Sequence, residues 1–368
     1  MTLRVDNVGS MLRPPELVDA VSRHEAGDLS DDGLRAVEDA AVRDLVAEQE
    51  RHDLPIVVDG EFRRLNFMQS FTDVAGFDTW MDRHRAAREA RKLAAAEGGV
   101  VTAPSALALT PATEPLRLRR SQPLDEFTFA QSLTRTPVKV SLIGPDRIYQ
   151  AYDSGRETYA DDQAFLDAVV AVQRKMVDGL AKAGCGYVHM DAPGFTAYVD
   201  PPSLERFRDR GREPQAMMRA TVAAENAVIE GFDGVTFGIH LCRGNEQSHW
   251  HREGHYDAVA EELFGTLRHE RLLLEYDTER AGGFEPLRFV RPGAIAVLGL
   301  ITTKSGELED RDDLLRRIEE ASRFLPVEQL AISPQCGFAS GVEGNDLTPD
   351  EQWAKLDLML EVARDVWG

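Results

Sequence analysis

The chain has 368 residues, 43% of them hydrophobic, and its 42 Lys+Arg against 63 Asp+Glu give a formal net charge of -21. Such an excess of acid argues against a duplex nucleic acid or an anionic membrane as partner, because phosphate binding needs a basic footprint. No apolar run is long enough to span a bilayer, Met1–Asp6 lacks a signal-peptide core, and three cysteines cannot build a disulfide framework, so a cytoplasmic protein is expected.

In chain order, Arg4–Ser10 reads as a short strand ending in a Gly-Ser turn. Pro14 and Pro15 open a helical stretch. Its second part starts at Asp31-Asp32, negative charge that favours a helix N-terminus, and shows an apolar face at Leu34, Val37, Ala41 and Leu45. Ile56–Asp59 is a second strand, ending at Gly60-Glu61. From about 73 to 136 the pattern breaks down into a charged helical piece (Met81–Ala96), a Thr/Pro/Ala-rich stretch and the alternation Leu116-Arg117-Leu118-Arg119, which suggests an exposed hairpin arm. This segment has too few large apolar residues for its own core. It is expected as an elaborated loop, a lid or a homo-oligomer contact, inserted into one domain covering residues 1–368.

Regularity returns with a third strand at Val138–Pro145. The helix after it carries Phe165, Val169, Val172, Met176 and Leu180 on one face, and Gly184 stops it. Tyr187–Asp191, Val235–Leu241, Arg271–Tyr276, Ala294–Leu300 and Leu330–Ser333 supply the remaining strands. Helices through Leu314, Leu315, Ile318 and Ala321, and through Trp353, Leu356, Leu360 and Ala363, flank the last of them. Eight strands alternating with helices imply parallel strands joined by crossovers, and eight close an α/β barrel of the (β/α)8 TIM type. Sites on that fold lie at the C-terminal ends of the strands, where this chain places Ser10, Glu61, Asp191, His240, Glu275 and Cys336.

His240 and Cys242 end the fifth strand two residues apart, so their side chains project the same way and can reach one point. With Glu275 and Cys336 at the ends of other strands they form an N/O/S set suited to zinc. The competing reading makes Cys336 a small buried hydrophobe before the turn at Gly337. His189 shares a face with Asp191 one step lower and reads as a hydrogen-bonded core histidine; Cys185 reads as a packed turn residue. His249, His251 and His255, with Trp250, mark a loop that is solvated or covers a substrate. Lys304 is one of few basic residues at the expected active face, placed to neutralise an anionic substrate or donate a proton unless it is merely solvated.

Gly9-Ser10, Gly60-Glu61, Gly144-Pro145, the block Gly238–Asn245, Glu275 and Ser333–Phe338 together resemble the cobalamin-independent methionine synthase family. The resemblance is to the family's C-terminal catalytic barrel, covers nearly the whole chain, and fits a shorter single-barrel branch related to epoxyalkane:coenzyme M transferases. It implies zinc held by His240, Cys242, Glu275 and Cys336, with Glu61 and Asp191 taking the ammonium of homocysteine and Ser10 its carboxylate. A metal-bound thiol is deprotonated, and two thiolate ligands keep the ion a weak Lewis acid, which suits an electron-rich visiting sulfur better than water activation. The expected activity is methyl transfer to homocysteine or a similar small thiol, giving methionine or another thioether. The alternatives are thiol addition to an epoxide or other alkyl donor, and a non-catalytic zinc- or thiol-binding scaffold. Two departures leave the donor open. No histidine follows the seventh strand in Gly299–Lys304, and no tryptophan follows Gly144-Pro145, where Tyr149 or Tyr152 would have to substitute.

Overall fold

A computed structural model of the chain describes residues 3–80, 82–83, 86, 109–154 and 158–368. Most of the charged piece expected at Met81–Ala96 and most of the Thr/Pro/Ala-rich stretch fall outside the described residues. Two short strands, β1 (Val74–Ala75) and β2 (Arg117–Leu118), pair antiparallel, so Leu118 meets Val74 instead of turning back on itself as a local hairpin. Within the segment expected at about 73–136, a helix at Gln122–Ser132 buries Phe127 and Ala130 ahead of the next strand.

Six strands then follow in spatial and chain order, each parallel to the next. They are β3 (Lys139–Ile143), β4 (Tyr187–Asp191), β5 (Thr236–Leu241), β6 (Arg271–Glu275), β7 (Ile295–Ile301) and β8 (Leu330–Pro334). All but the entry residues of β5 and β7 are buried, as expected where helices cover one face and the barrel interior the other. The ring closes through isolated bridges in place of two regular strands. Val5 pairs with Ile332 of β8, Ser10 with Gly60, and Val57 with Val138 beside β3. The two segments expected as the first strands thus serve as staves of a (β/α)8 barrel with very short ladders. Proline is one reason: Pro137 offers a carbonyl to the Val57 N–H but has no N–H to return.

The outer helices form where sequence periodicity places them. Asp161 caps Asp162–Lys182 by accepting from the Ala164 N–H at 2.8 Å, and the helix buries Phe165, Val169, Val172, Met176 and Leu180. Gly184, at φ 92, lets the chain leave it. Thr348 and Glu351 form a capping box ahead of Pro349–Trp367, which seals β8. The floor of the barrel is polar, and Asp6 gathers its charges. Asp6 receives Lys139 Nζ at 2.8 Å, Arg271 Nε at 2.9 Å and the Tyr187 hydroxyl at 2.7 Å, from the first residues of β3, β6 and β4. Among the described residues no helix is long and apolar enough to cross a membrane.

Candidate metal centre

At the opposite end, the mouth, the structure gathers His240, Cys242 and Cys336. All three are buried, and their ligand atoms lie within 4.8 Å of one another. His240 is the penultimate residue of β5; Cys242 follows that strand and Cys336 follows β8. Each backbone is fixed from outside the group. The Cys242 carbonyl accepts from Thr196 Oγ1 at 2.7 Å, and the Arg243 N–H donates to Glu275 Oε2 at 2.5 Å. Beyond Cys336, the Gly337 carbonyl accepts from Asn245 Nδ2 at 2.8 Å and Thr303 Oγ1 at 3.0 Å. Gly337 itself is required by close approach: a Cβ there would sit 1.9 Å from Ser10 Oγ.

Neither ring nitrogen of His240 has a hydrogen-bond partner of normal geometry, although the imidazole is buried. A buried imidazole left this way is costly unless something else fills the role. The neighbouring sulfurs show what that is. The Cys242 thiol beside it holds Cys336 well below its ordinary pKa, with His240 and Lys304 helping against burial. The same contact, with burial, pushes Cys242 well above. Burial pulls His240 down, but Cys336, Asp191 and Glu275 outweigh it and raise its pKa. Two sulfurs and an imidazole nitrogen within 4.8 Å of one another could hold a metal ion, and thiolate plus imidazole is a donor set suited to zinc.

Glu275 is not drawn into this group. Its Oε1 is taken by Arg280 and lies 3.5 Å from Lys304 Nζ, while Oε2 accepts the Arg243 N–H. Lys304 Nζ in turn pairs with Asp277 at 3.1 Å and does not line the mouth cavity, so its positive charge acts on Cys336 from behind.

The cavity, about 130 Å³, is lined by His240, Cys242 and Cys336 together with Ser10, Glu61 and Asp191. Glu61 sits in left-handed backbone at φ 58, uncommon for a residue with a side chain, just after Gly60 at φ 73. Its Oε1 accepts from Ser141 Oγ at 2.5 Å, whereas Oε2 is buried without a partner. Burial pushes its carboxyl up, against the pull of Arg64. Asp191 Oδ1 meets His189 Nε2 at 3.0 Å, and burial pushes Asp191 up to about 7. His189 is fully buried, with its pKa well below the usual value through desolvation, as a core histidine should be. Cys185 donates to the Tyr187 carbonyl and is a packed turn residue.

Other expectations fall differently. His251 lines the cavity, but His249 turns to the Gln247 carbonyl and Trp250 is 48% exposed under the Arg280 guanidinium. Neither Tyr149 nor Tyr152 lines the cavity. Tyr149 donates to Asp162, and Tyr152 stacks on Phe165 at 3.7 Å. The residues that sequence reading passed over are Asn245, Thr303 and Gln335, which brace the two cysteine loops, and Arg147 and Arg252, which line the cavity. Asn245 was in view, since it ends the Gly238–Asn245 block. Arg147 stands directly after Gly144-Pro145-Asp146, where the resemblance implies an aromatic.

Fold and site together define a parallel α/β-barrel protein with a buried imidazole–dithiol group at the mouth. The chain belongs to the family of cobalamin-independent synthase catalytic domains, whose family model matches residues 5–365. It is 36% identical over 375 residues to the uncharacterized protein YxjG of Bacillus subtilis (strain 168), covering 99% of this chain and 94% of that one. To the methionine synthase of Pyrococcus abyssi it is 25% identical, over 90% of this chain and 85% of the relative. Among solved structures, one provisionally named a vitamin-B12 independent methionine synthase from Listeria monocytogenes superposes with a TM-score of 0.76 at 26% identity, covering 99% of this chain and 98% of that one. A B12-independent methionine synthase from Shewanella sp. W3-18-1, in complex with selenomethionine, shares the fold at a TM-score of 0.73 and 18% identity, covering 100% of this chain and 98% of that one.

Proposed function

We propose that the protein is a zinc-dependent S-alkyltransferase that passes a methyl group to homocysteine or a similar small thiol, giving methionine or another thioether. The observation that carries this reading is the convergence of His240, Cys242 and Cys336, all buried, around two ring nitrogens with no other partner. Those three residues would hold zinc, which when bound keeps the acceptor sulfur as thiolate at neutral pH. Three protein ligands leave room for that sulfur. Glu275, occupied by Arg280, Lys304 and the Arg243 N–H, then serves to hold the Cys242 turn and to offset the cations behind it.

The chain's own residues orient the acceptor. Glu61 Oε2 and the Asp191 carboxylate are buried acceptors on the cavity wall, suited to an ammonium group. Ser10, whose hydroxyl faces Gly337 across a gap that no Cβ could share, is suited to the carboxylate together with nearby backbone. The segment Glu61–Met68 and the loops after β5 and β8 wall the cavity, which limits the water beside the reacting sulfur and favours its attack on the alkyl group.

Cys242→Ser and Cys336→Ser should each lose bound zinc and thioether formation together, read by metal analysis and by mass detection of the product with candidate thiols and donors. Full turnover in zinc-free variant protein would end the proposal. Zinc retention with no transfer across a donor panel would favour a binding scaffold instead.

A further inference from the structure

We infer that Arg147, with Arg252 beside it, forms an oxyanion-binding subsite in the mouth of the barrel that takes a carboxylate, sulfonate or phosphate group carried by the alkyl donor. Arg147 lies on the short helix Pro145–Ala151 that follows β3, is 2% exposed and lines the cavity. Among the described residues it is the one buried arginine with both terminal nitrogens, Nη1 and Nη2, lacking a hydrogen-bond partner.

Other buried cations among the described residues are provided for. Arg64 pairs with Glu126 at 2.6 Å, Lys139 and Arg271 with Asp6, and Lys355 with Glu309 at 3.0 Å. Arg13 spends its Nη atoms on the carbonyls of Glu61, Arg64, Ala339 and Gly341. Arg147 has neither kind of partner. A guanidinium desolvated without compensation costs stability, and its five donors in a fixed fork match an oxyanion better than any other ligand.

Arg252 adds a second positive charge. Its Nη1 donates to the Pro193 carbonyl and lies 3.4 Å from Thr196 Oγ1, the hydroxyl that also holds the Cys242 carbonyl. The subsite is therefore tied to the metal group through one threonine. Asp146 attracts both arginines and Asp200 attracts Arg252, but from beyond ion-pair distance. Asp146 Oδ1 accepts from Gln150 and from the Tyr198 hydroxyl, and neither arginine comes within ion-pair distance of it. Burial pushes Asp146 up to about 7, and pushes Glu225, packed beside it, well above the carboxylate range. Burial and repulsion from Arg252 bring Arg147 itself down to about 9, a cost that a bound anion would reverse.

Assigning this anion to the donor rests on the reading above, in which Ser10 and its surroundings already receive the carboxylate of the acceptor. The existence of the subsite does not. Sodium sulfate is titrated into the protein at constant ionic strength and followed by calorimetry. Sulfate should bind the wild type and bind Arg147→Met and Arg252→Gln at least tenfold more weakly, with Arg147→Lys between. Without sulfate, Arg147→Met should melt at the same temperature as the wild type or higher, because an uncompensated charge has been removed. Equal sulfate affinity in the wild type and in folded Arg147→Met or Arg252→Gln would overturn the subsite. Saturating homocysteine should leave sulfate affinity unchanged; competition between them would overturn the donor assignment. No turnover is needed for either readout, so failure of the transfer reaction would show separately.

Discussion

Glu61 shows how a single residue at the mouth trades stability for readiness. Left-handed backbone costs a residue with a Cβ of order 1 kcal/mol, and a buried carboxylate oxygen without a partner costs more. Both costs fall on the side chain proposed to receive an ammonium group. Glu61→Gln keeps the shape and the contact with Ser141 while removing the charge. A charged hydrogen bond contributes roughly 1.5–3 kcal/mol, so the KM for homocysteine should rise about ten- to a hundredfold with zinc content unchanged. A KM equal to that of the wild type in steady-state assays would remove Glu61 from the acceptor site. At this scale the sequence was informative wherever chemistry imposes a residue type at a strand end: His240, Cys242, Cys336, Glu61 and Asp191 all reach the same cavity. It was uninformative where role depends on who else is present. Nothing in the string shows that Arg280 occupies Glu275, that Asp277 draws Lys304 aside, or that no carboxylate comes to meet Arg147.

Among the elements, the second stave is held together by a side chain standing in for a strand. Gln49, fully buried on the helix Asp31–Arg51, donates Nε2 to the Val58 carbonyl at 2.8 Å and accepts the Val58 N–H at Oε1 at 2.9 Å. Val58 thereby satisfies both backbone groups without a full ladder. Gln49→Leu preserves volume and helix propensity but orphans both groups, each worth roughly 1–3 kcal/mol when buried. Its urea midpoint should fall accordingly, with zinc binding per folded molecule intact; an unchanged midpoint would show that the stave does not depend on this surrogate. The six strands β3 to β8 were legible because long buried runs bounded by turns have few other solutions. Arg4–Ser10 and Ile56–Asp59 were legible as apolar segments but not as bridges, since the missing ladder bonds are replaced by Gln49, by Pro137 and by contacts distant in sequence. The helix Gln122–Ser132 was hidden for a related reason: Phe127 and Ala130 suffice to seat it only because the barrel is already there.

Across the whole molecule the two ends of the barrel treat charge in opposite ways. At the floor, burial pushes the Asp6 carboxyl up, but Lys139 and Arg271 outweigh it and hold it well below the usual range. At the mouth, burial dominates, and Asp59, Asp146 and Asp191 are each pushed up to about 7. Those raised carboxyls gain stability as pH falls, so the absolute acid-unfolding curve mixes opposing contributions, and a difference between variants is the cleaner measure. His269, buried near the entry to β6 with neither ring nitrogen partnered, isolates one of them. Burial, with repulsion from His189 and Arg291, brings its pKa from 6.5 down to about 3. Between those values the unfolded chain binds a proton that the folded chain refuses, so this histidine favours folding above pH 6.5 and loses that contribution on the way to pH 3. His269→Leu removes the proton site and the two orphaned nitrogens at once. Its stability relative to the wild type should be constant above that window and should then grow by roughly 1.4 kcal/mol for each pH unit descended within it. Urea unfolding of both proteins at pH 7, 6, 5 and 4, about one unit apart, reads the difference directly; parallel curves would mean that His269 takes up its proton without unfolding, and that the floor of the barrel is less closed than its packing indicates.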